Sequence, residues 1–147
     1  MRETIVDRAY ARTLLPARRE DGHKGDFGKL LVLGGSVGYT GAPYLTAGAA
    51  VHSGCGLVYL GVPESIWAVE AQKCVSAMPF PLPEEDGKLC LASLDAMQEK
   101  LNGCDALALG PGLGRGEETE KLVRALLWHG AALRPPRPRD DPHAARR

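Results

Sequence analysis

Two glycine-rich loops are the segments of this 147-residue chain whose residue types best suit ligand binding. The first covers residues 34–42 and reads GGSVGYTGA; the second covers residues 110–114 and reads GPGLG. Glycine lets a backbone approach a ligand closely, and N–H groups at the start of a following helix attract anions. We interpret the first loop as a ligand loop in preference to a tight turn, and the second as a wall of a substrate site.

Neither loop carries a standard nucleotide signature. The first lacks the Lys followed by Ser or Thr of a phosphate-binding P-loop, and its glycine spacing differs from the Rossmann fingerprint. A Rossmann interpretation of the second loop would need an acid about twenty residues later, and residues 128–133 contain none. Ser36 and Thr40 have no identifiable base partner, so we predict no catalytic residue in this chain.

The remaining polar candidates are weaker. Lys24 and Asp26 either touch a phosphate or cation or form a structural turn, and the sequence leaves both readings open. We predict that His52 lies on the packed face of its helix with a structural role. The four cysteines show no CxxC spacing, and we predict that they are buried reduced thiols; they are Cys55, Cys74, Cys90 and Cys104.

Short apolar runs alternate with helical segments along the chain. Predicted strands cover residues 29–33, 57–62, 74–77 and 105–109; predicted helices cover 44–53, 63–70, 93–101 and a segment from 117, with a loop over 79–87 and Ser93 as a helix cap. This alternation predicts an α/β fold with a parallel sheet flanked by helices. Both glycine loops follow strands, so they should lie at the carboxyl edge of the sheet, where such folds bind ligands.

Composition sets broad limits. Charged residues make up 24% of the chain and the formal net charge is zero, so nothing indicates a nucleic-acid partner. We see no apolar run long enough to cross a membrane and no signal peptide, and we predict a cytoplasmic protein. Residues 134–147 hold five Arg and four Pro, which indicates either a disordered tail or, our preferred hypothesis, out-of-frame translation.

Three motifs together carry a family resemblance: HKGDFG at 23–28, GSVGYTGA at 35–42 and GPGLG at 110–114. In this order and spacing they resemble the ADP- or ATP-dependent NAD(P)H-hydrate dehydratases, which have a ribokinase-like fold. The resemblance covers about residues 11 to 133. It implies that residues 1–133 are the amino-terminal part of such a domain, with a truncated ribokinase-like sheet.

Enzymes of that family repair hydrated NADH and NADPH. They phosphorylate the ring hydroxyl from ADP or ATP, with Mg²⁺ expected, and then eliminate phosphate. The resemblance implies that Ala42 and Gly112 contact the hydrated coenzyme and that Tyr39, Thr40 and Gly41 shape the same pocket. It also implies a homo-oligomer for full-length members.

The resemblance places the catalytic residues elsewhere. Family members carry a later GxGD motif whose aspartate acts as the base, and this motif and the nucleotide site do not occur in these residues. We therefore predict that the chain alone is inactive. Two alternatives stay open: a fragment of another ribokinase-like small-molecule kinase, or a non-catalytic coenzyme-binding protein.

Overall fold

A computed structural model describes residues 5–15 and 20–129 of the chain. In chain order the elements are α1 (Arg8–Leu14), a 3₁₀ helix (Lys24–Phe27), β1 (Lys29–Leu33), α2 (Gly41–His52), β2 (Leu57–Pro63), α3 (Glu64–Lys73), β3 (Met78–Leu82), β4 (Glu84–Glu85), β5 (Lys88–Leu89), α4 (Ser93–Gly103), β6 (Ala106–Leu109) and α5 (Glu117–His129). The tail over residues 134–147, whose nature the sequence left open, lies outside the described residues.

A four-stranded parallel sheet forms the centre, in the order β3-β2-β1-β6. In register, Leu31 of β1 lies beside Tyr59 of β2 and beside Leu107 of β6. The inner strand β1 is a continuous apolar run because it is covered on both faces, as parallel strands usually are. The predicted α/β fold with a parallel sheet is confirmed.

Helices cover both faces of this sheet. On one face, α2 and α3 contribute Ala47 and Ile66 to a core that contains Val32 of β1. On the other face, α4 and α5 contribute a larger set of buried side chains: Met97, Leu101, Leu122 and Leu126. The two cores hold the carboxyl ends of β1 and β6 in place, and these are the ends from which the glycine loops leave.

The predicted third strand was misplaced. The chain forms β3 at Met78–Leu82, and residues 74–77 are the connection before it. Pro79 and Pro81 had suggested a loop. Among the described residues, however, β3 is an edge strand of the sheet. An edge strand tolerates prolines because the missing N–H groups face a side without a neighbouring strand. The rest of the predicted loop contains β4 and the turn that joins it to β5, which together form an antiparallel hairpin.

Two further expectations about single residues were wrong. Ser93 does not cap α4, because Ala92 holds that position; the buried Ser93 hydroxyl donates to the Pro83 carbonyl oxygen at 2.7 Å. His52 is exposed, because α2 turns Pro43 and Ala47 toward the sheet and leaves its last residue on the outer side.

All four cysteines are free thiols, as predicted, but only two are buried. Cys90 and Cys104 are buried, whereas Cys55 and Cys74 are half-buried. Burial, with a smaller effect of the Asp105 carboxylate, raises the pKa of the Cys104 thiol. That thiol is therefore a poor nucleophile near neutral pH.

None of the helices in the described ranges is both long and apolar enough to span a membrane.

Candidate ligand-binding site

The two glycine loops meet at the carboxyl edge of the sheet. The first loop leaves β1 and the second leaves β6, and these strands are direct parallel neighbours. The Gly35 N–H donates to the Pro111 carbonyl oxygen at 2.8 Å, and the Gly110 N–H donates to the Leu33 carbonyl oxygen at 3.1 Å. The two loops therefore form one surface. Ser36 of the first loop and Gly112 of the second, which are hydrogen-bonded, lie 76 positions apart in the sequence.

Ser36 ties this surface together. Its hydroxyl donates to the Gly112 carbonyl oxygen at 2.8 Å, and the residue is only 2% exposed. Ser36 shows no base partner in the sequence, and in the structure its hydroxyl makes this contact between the loops. The bond accounts for a polar residue at the buried start of a glycine loop.

Ser36→Ala should lower the free energy of unfolding by about 1.5 kcal/mol, because the part-buried Gly112 carbonyl would lose its partner. Urea unfolding would measure the loss. Ser53→Ala is the matched control, because the Ser53 hydroxyl makes an equally short bond, 2.8 Å to the Ala49 carbonyl, in an exposed position. We expect the control to cost about 0.5 kcal/mol or less. Equal losses in the two variants would contradict the role given to Ser36.

Glycine is required where the loops cross. Gly112 has a φ of +71°, and a Cβ built there would lie 2.8 Å from the Tyr39 carbonyl oxygen and 3.3 Å from the Ala42 Cβ. Neither the backbone conformation nor the space suits a side chain. The structure thus brings together Tyr39, Ala42 and Gly112, three of the five residues that the family resemblance singled out.

The other two residues, Thr40 and Gly41, lie at the start of α2. Gly41 is the first residue of the helix and is exposed, with open space around its Cα. Thr40 precedes it and does not cap the helix; its hydroxyl oxygen instead accepts a bond from Lys73 of α3. All five residues therefore line one end of the sheet, and the side chain of Tyr39 is 64% exposed there.

The hairpin of β4 and β5 is a third wall that the sequence analysis missed. The Val37 N–H donates to the Gly87 carbonyl oxygen at 2.9 Å, and Ser36 forms a β-bridge with Lys88. The Lys88 side chain also lies beside the second loop, 3.2 Å from the place of a Cβ on Gly114. The Asp-Gly pair at its turn is a hairpin signal that could have revealed it.

The segment around Lys24 lies at the opposite edge of the sheet. The Leu57 N–H, at the amino end of β2, donates to the Gly28 carbonyl oxygen at 3.0 Å. The Asp26 carboxylate accepts the His23 N–H at 3.0 Å, as a turn-stabilising residue does. The structure shows the structural turn at Asp26, and a contact of Lys24 with a phosphate or cation stays a prediction.

Across residues 5–15 and 20–129, no group of three or more His, Cys, Asp or Glu side chains could hold a metal ion. The two loops supply backbone groups, the Tyr39 ring and the hydroxyls of Ser36 and Thr40, which suit binding of a polar organic ligand.

Sequence comparison decides the family. The family model described as NAD(P)H-hydrate dehydratase matches residues 30–133, which is more than half of the chain and includes both glycine loops. The chain belongs to the NAD(P)H-hydrate dehydratase family. A similar relative, the bifunctional NAD(P)H-hydrate repair enzyme Nnr of Moorella thermoacetica, is 43% identical over 124 residues, which are 84% of this chain and 23% of that protein.

Two solved structures show the same architecture as this chain. The ADP/ATP-dependent NAD(P)H-hydrate dehydratase from Bacillus subtilis, co-crystallized with ATP/Mg²⁺, is 27% identical, with a TM-score of 0.60 over 82% of this chain and 40% of that one. A ribokinase-like superfamily protein from Enterococcus faecalis, at 19% identity, gives a TM-score of 0.67 over 86% of this chain and 44% of that one. The predicted ribokinase-like fold is confirmed, and the chain spans less than half the length of each of these proteins.

Proposed function

We propose that the surface formed by the two glycine loops binds hydrated NADH or NADPH, the substrate from which the family takes its name. The observation that carries the proposal is the contact between the first loop, at Tyr39 and Ala42, and Gly112 of the second. The five proposed contacts, Tyr39, Thr40, Gly41, Ala42 and Gly112, come from the family motifs and converge at one edge of the sheet.

The chemistry of this edge suits such a ligand. The exposed Tyr39 ring offers an apolar face for a flat base or nicotinamide ring. The first N–H groups of α2, at Gly41 and Ala42, have no acceptor from a capping side chain, and a helix start with free N–H groups favours an anionic phosphate. A dinucleotide presents both kinds of group.

We further propose that these 147 residues bind the coenzyme without turning it over. Phosphoryl transfer depends on positioning a nucleotide and stabilising its phosphates, usually with Mg²⁺. The family resemblance assigns those tasks to motifs beyond the second loop. ADP or ATP would then be held by other residues of the complete domain, whose activity is dehydration of the hydrated coenzyme.

Calorimetry and NMR on the purified chain test the proposal. We expect hydrated NADPH to bind, and its addition to shift backbone amide signals of residues 34–42 and 110–114 while leaving residues 23–28 unchanged. With ADP and Mg²⁺ added, we expect no recovery of NADPH absorbance. Shifts confined to other segments, or no binding, would overturn the proposed site. Turnover would overturn the proposal that the nucleotide site lies elsewhere.

A further inference from the structure

Thr40 is held by a lysine that belongs to none of the three sequence motifs. Lys73, the last residue of α3, donates from Nζ to the Thr40 hydroxyl oxygen at 2.7 Å. The same ammonium group lies 3.3 Å from the Glu70 carboxylate oxygen Oε1, one turn earlier on the helix. A second helix thus reaches the first loop from the side.

The acid behind this lysine is completely buried. Glu70 is 0% exposed, and its second oxygen, Oε2, finds no hydrogen-bond partner among the described residues. Burying a carboxylate is costly unless a charge of opposite sign compensates it. The nearby Glu70 also contributes, after burial, to a raised pKa of the Cys74 thiol. The 3.3 Å contact with the buried Glu70 carboxylate therefore helps to keep the ammonium group beside Thr40.

The direction of the hydrogen bond determines what Thr40 can still do. An ammonium group only donates, so the Thr40 oxygen must be the acceptor, and its own proton stays available for another acceptor. The usual alternative, capping of α2, is not used: Thr40 has helical backbone angles and makes no cap bond. The third helical residue is Pro43, which has no N–H to cap.

We propose that Lys73 is a positioning residue that fixes the Thr40 hydroxyl as a hydrogen-bond donor to an acceptor oxygen of the bound coenzyme, with Glu70 fixing Lys73. This inference rests on the proposed function, because it concerns the same site. It adds two residues that the family motifs do not contain. The bond that the hydroxyl accepts from the ammonium group strengthens it as a donor, because successive hydrogen bonds in a chain polarise one another.

A double-mutant cycle with hydrated NADPH as the ligand tests this role. Thr40→Val and Lys73→Met should each weaken binding about tenfold or more, and the double variant should be no weaker than either single variant, since both remove one hydrogen bond. Lys73→Arg should stay within about threefold of the wild type, because the guanidinium keeps charge and donors. Additive losses, or unchanged binding by Lys73→Met, would overturn the inference while leaving the proposed function intact.

Two controls distinguish a loss of binding caused by impaired folding from a loss caused by removing the bond between Lys73 and Thr40. Lys73→Met leaves Glu70 without its counter-charge, so Glu70→Gln/Lys73→Met is measured beside it and should show the same weakened binding. Lys121→Met changes a lysine that is equally engaged, at 2.8 Å from both Glu117 and Glu118, but on α5. That control should bind as the wild type does. A tenfold loss in Lys121→Met would overturn the inference.

NMR of the ligand-free chain provides a readout that does not depend on binding. The methyl signal of Thr40 should move in Lys73→Met and in Glu70→Gln/Lys73→Met, and should stay close to the wild-type position in Lys73→Arg. No movement in either Met variant would overturn the inference whatever the binding data show. If the wild type itself fails to bind, the proposed function falls, and the inference falls with it.

Discussion

Gly34→Ala should destabilise the chain by about 3 kcal/mol and weaken binding of hydrated NADPH at least about tenfold. A Cβ on Gly34 would overlap the Pro111 carbonyl oxygen and lie 2.9 Å from the Pro111 Cγ. Backbone cannot yield as the end of a flexible side chain can, so the second loop must move away from the first. The bond from the Gly35 N–H to the same carbonyl, at 2.8 Å, would break as well.

The free energy of unfolding from urea titration and the Kd from calorimetry would measure the two effects of Gly34→Ala. Gly48→Ala is the matched control, because Gly48 lies inside α2 and a Cβ there meets nothing within 4 Å. Since alanine favours a helix over glycine, we expect the control to gain about 0.5–1 kcal/mol. A Gly34→Ala variant as stable as the wild type would show that the loops do not meet as described.

Leu126→Ala should cost about 3 kcal/mol, the typical loss for a buried leucine truncated in a packed core. Leu126 is 2% exposed and lies in the core that α4 and α5 form against the sheet, together with Leu122 and Leu33. Removing it opens a cavity in this core, which also contains Leu33 at the end of β1, the strand from which the first glycine loop leaves. A domain whose total stability is only about 5–15 kcal/mol would lose a large part of it.

Leu127→Ala is the matched control in the same helix. Leu127 is 70% exposed, so the same atoms are removed from a side chain that is largely in water. We expect a change within about 0.5 kcal/mol of the wild type. Thermal unfolding followed by circular dichroism compares the two variants directly. A loss of stability for Leu127→Ala as large as that for Leu126→Ala would contradict the placement of Leu126 on the buried face of α5 and Leu127 on the exposed face.

Local patterns in the sequence predicted most elements of the fold. The strands at 29–33, 57–62 and 105–109 were found to within one residue, because each is a short apolar run that ends in glycine or proline. The helix from Glu117 was found from its acidic first turn and its apolar face. The placement of both glycine loops at the carboxyl edge then followed from the alternation of strands and helices.

The predictions from sequence were wrong where contacts between distant residues outweigh the local preference of residues for a secondary structure. The strand at Met78–Leu82 contains two prolines that argue against a strand, and it forms because β2 offers it a partner on one side only. The two-residue strands of the hairpin are too short to leave a pattern. His52 was misplaced because α2 is apolar nearly all round, so the sequence hardly distinguishes its inner face from its outer one.

The sequence by itself determined the family, the class of fold and the position of the two glycine loops after their strands, since these depend on residue types at fixed short spacings. Only the tertiary structure decided that the loops touch, that the hairpin closes a third side, and that Lys73 holds Thr40. The bond between the loops joins residues 76 positions apart in the chain, and the bond between Lys73 and Thr40 joins residues 33 positions apart. Separations of that size carry no periodic signal, because which distant side chains meet depends on how the whole sheet and its helices pack.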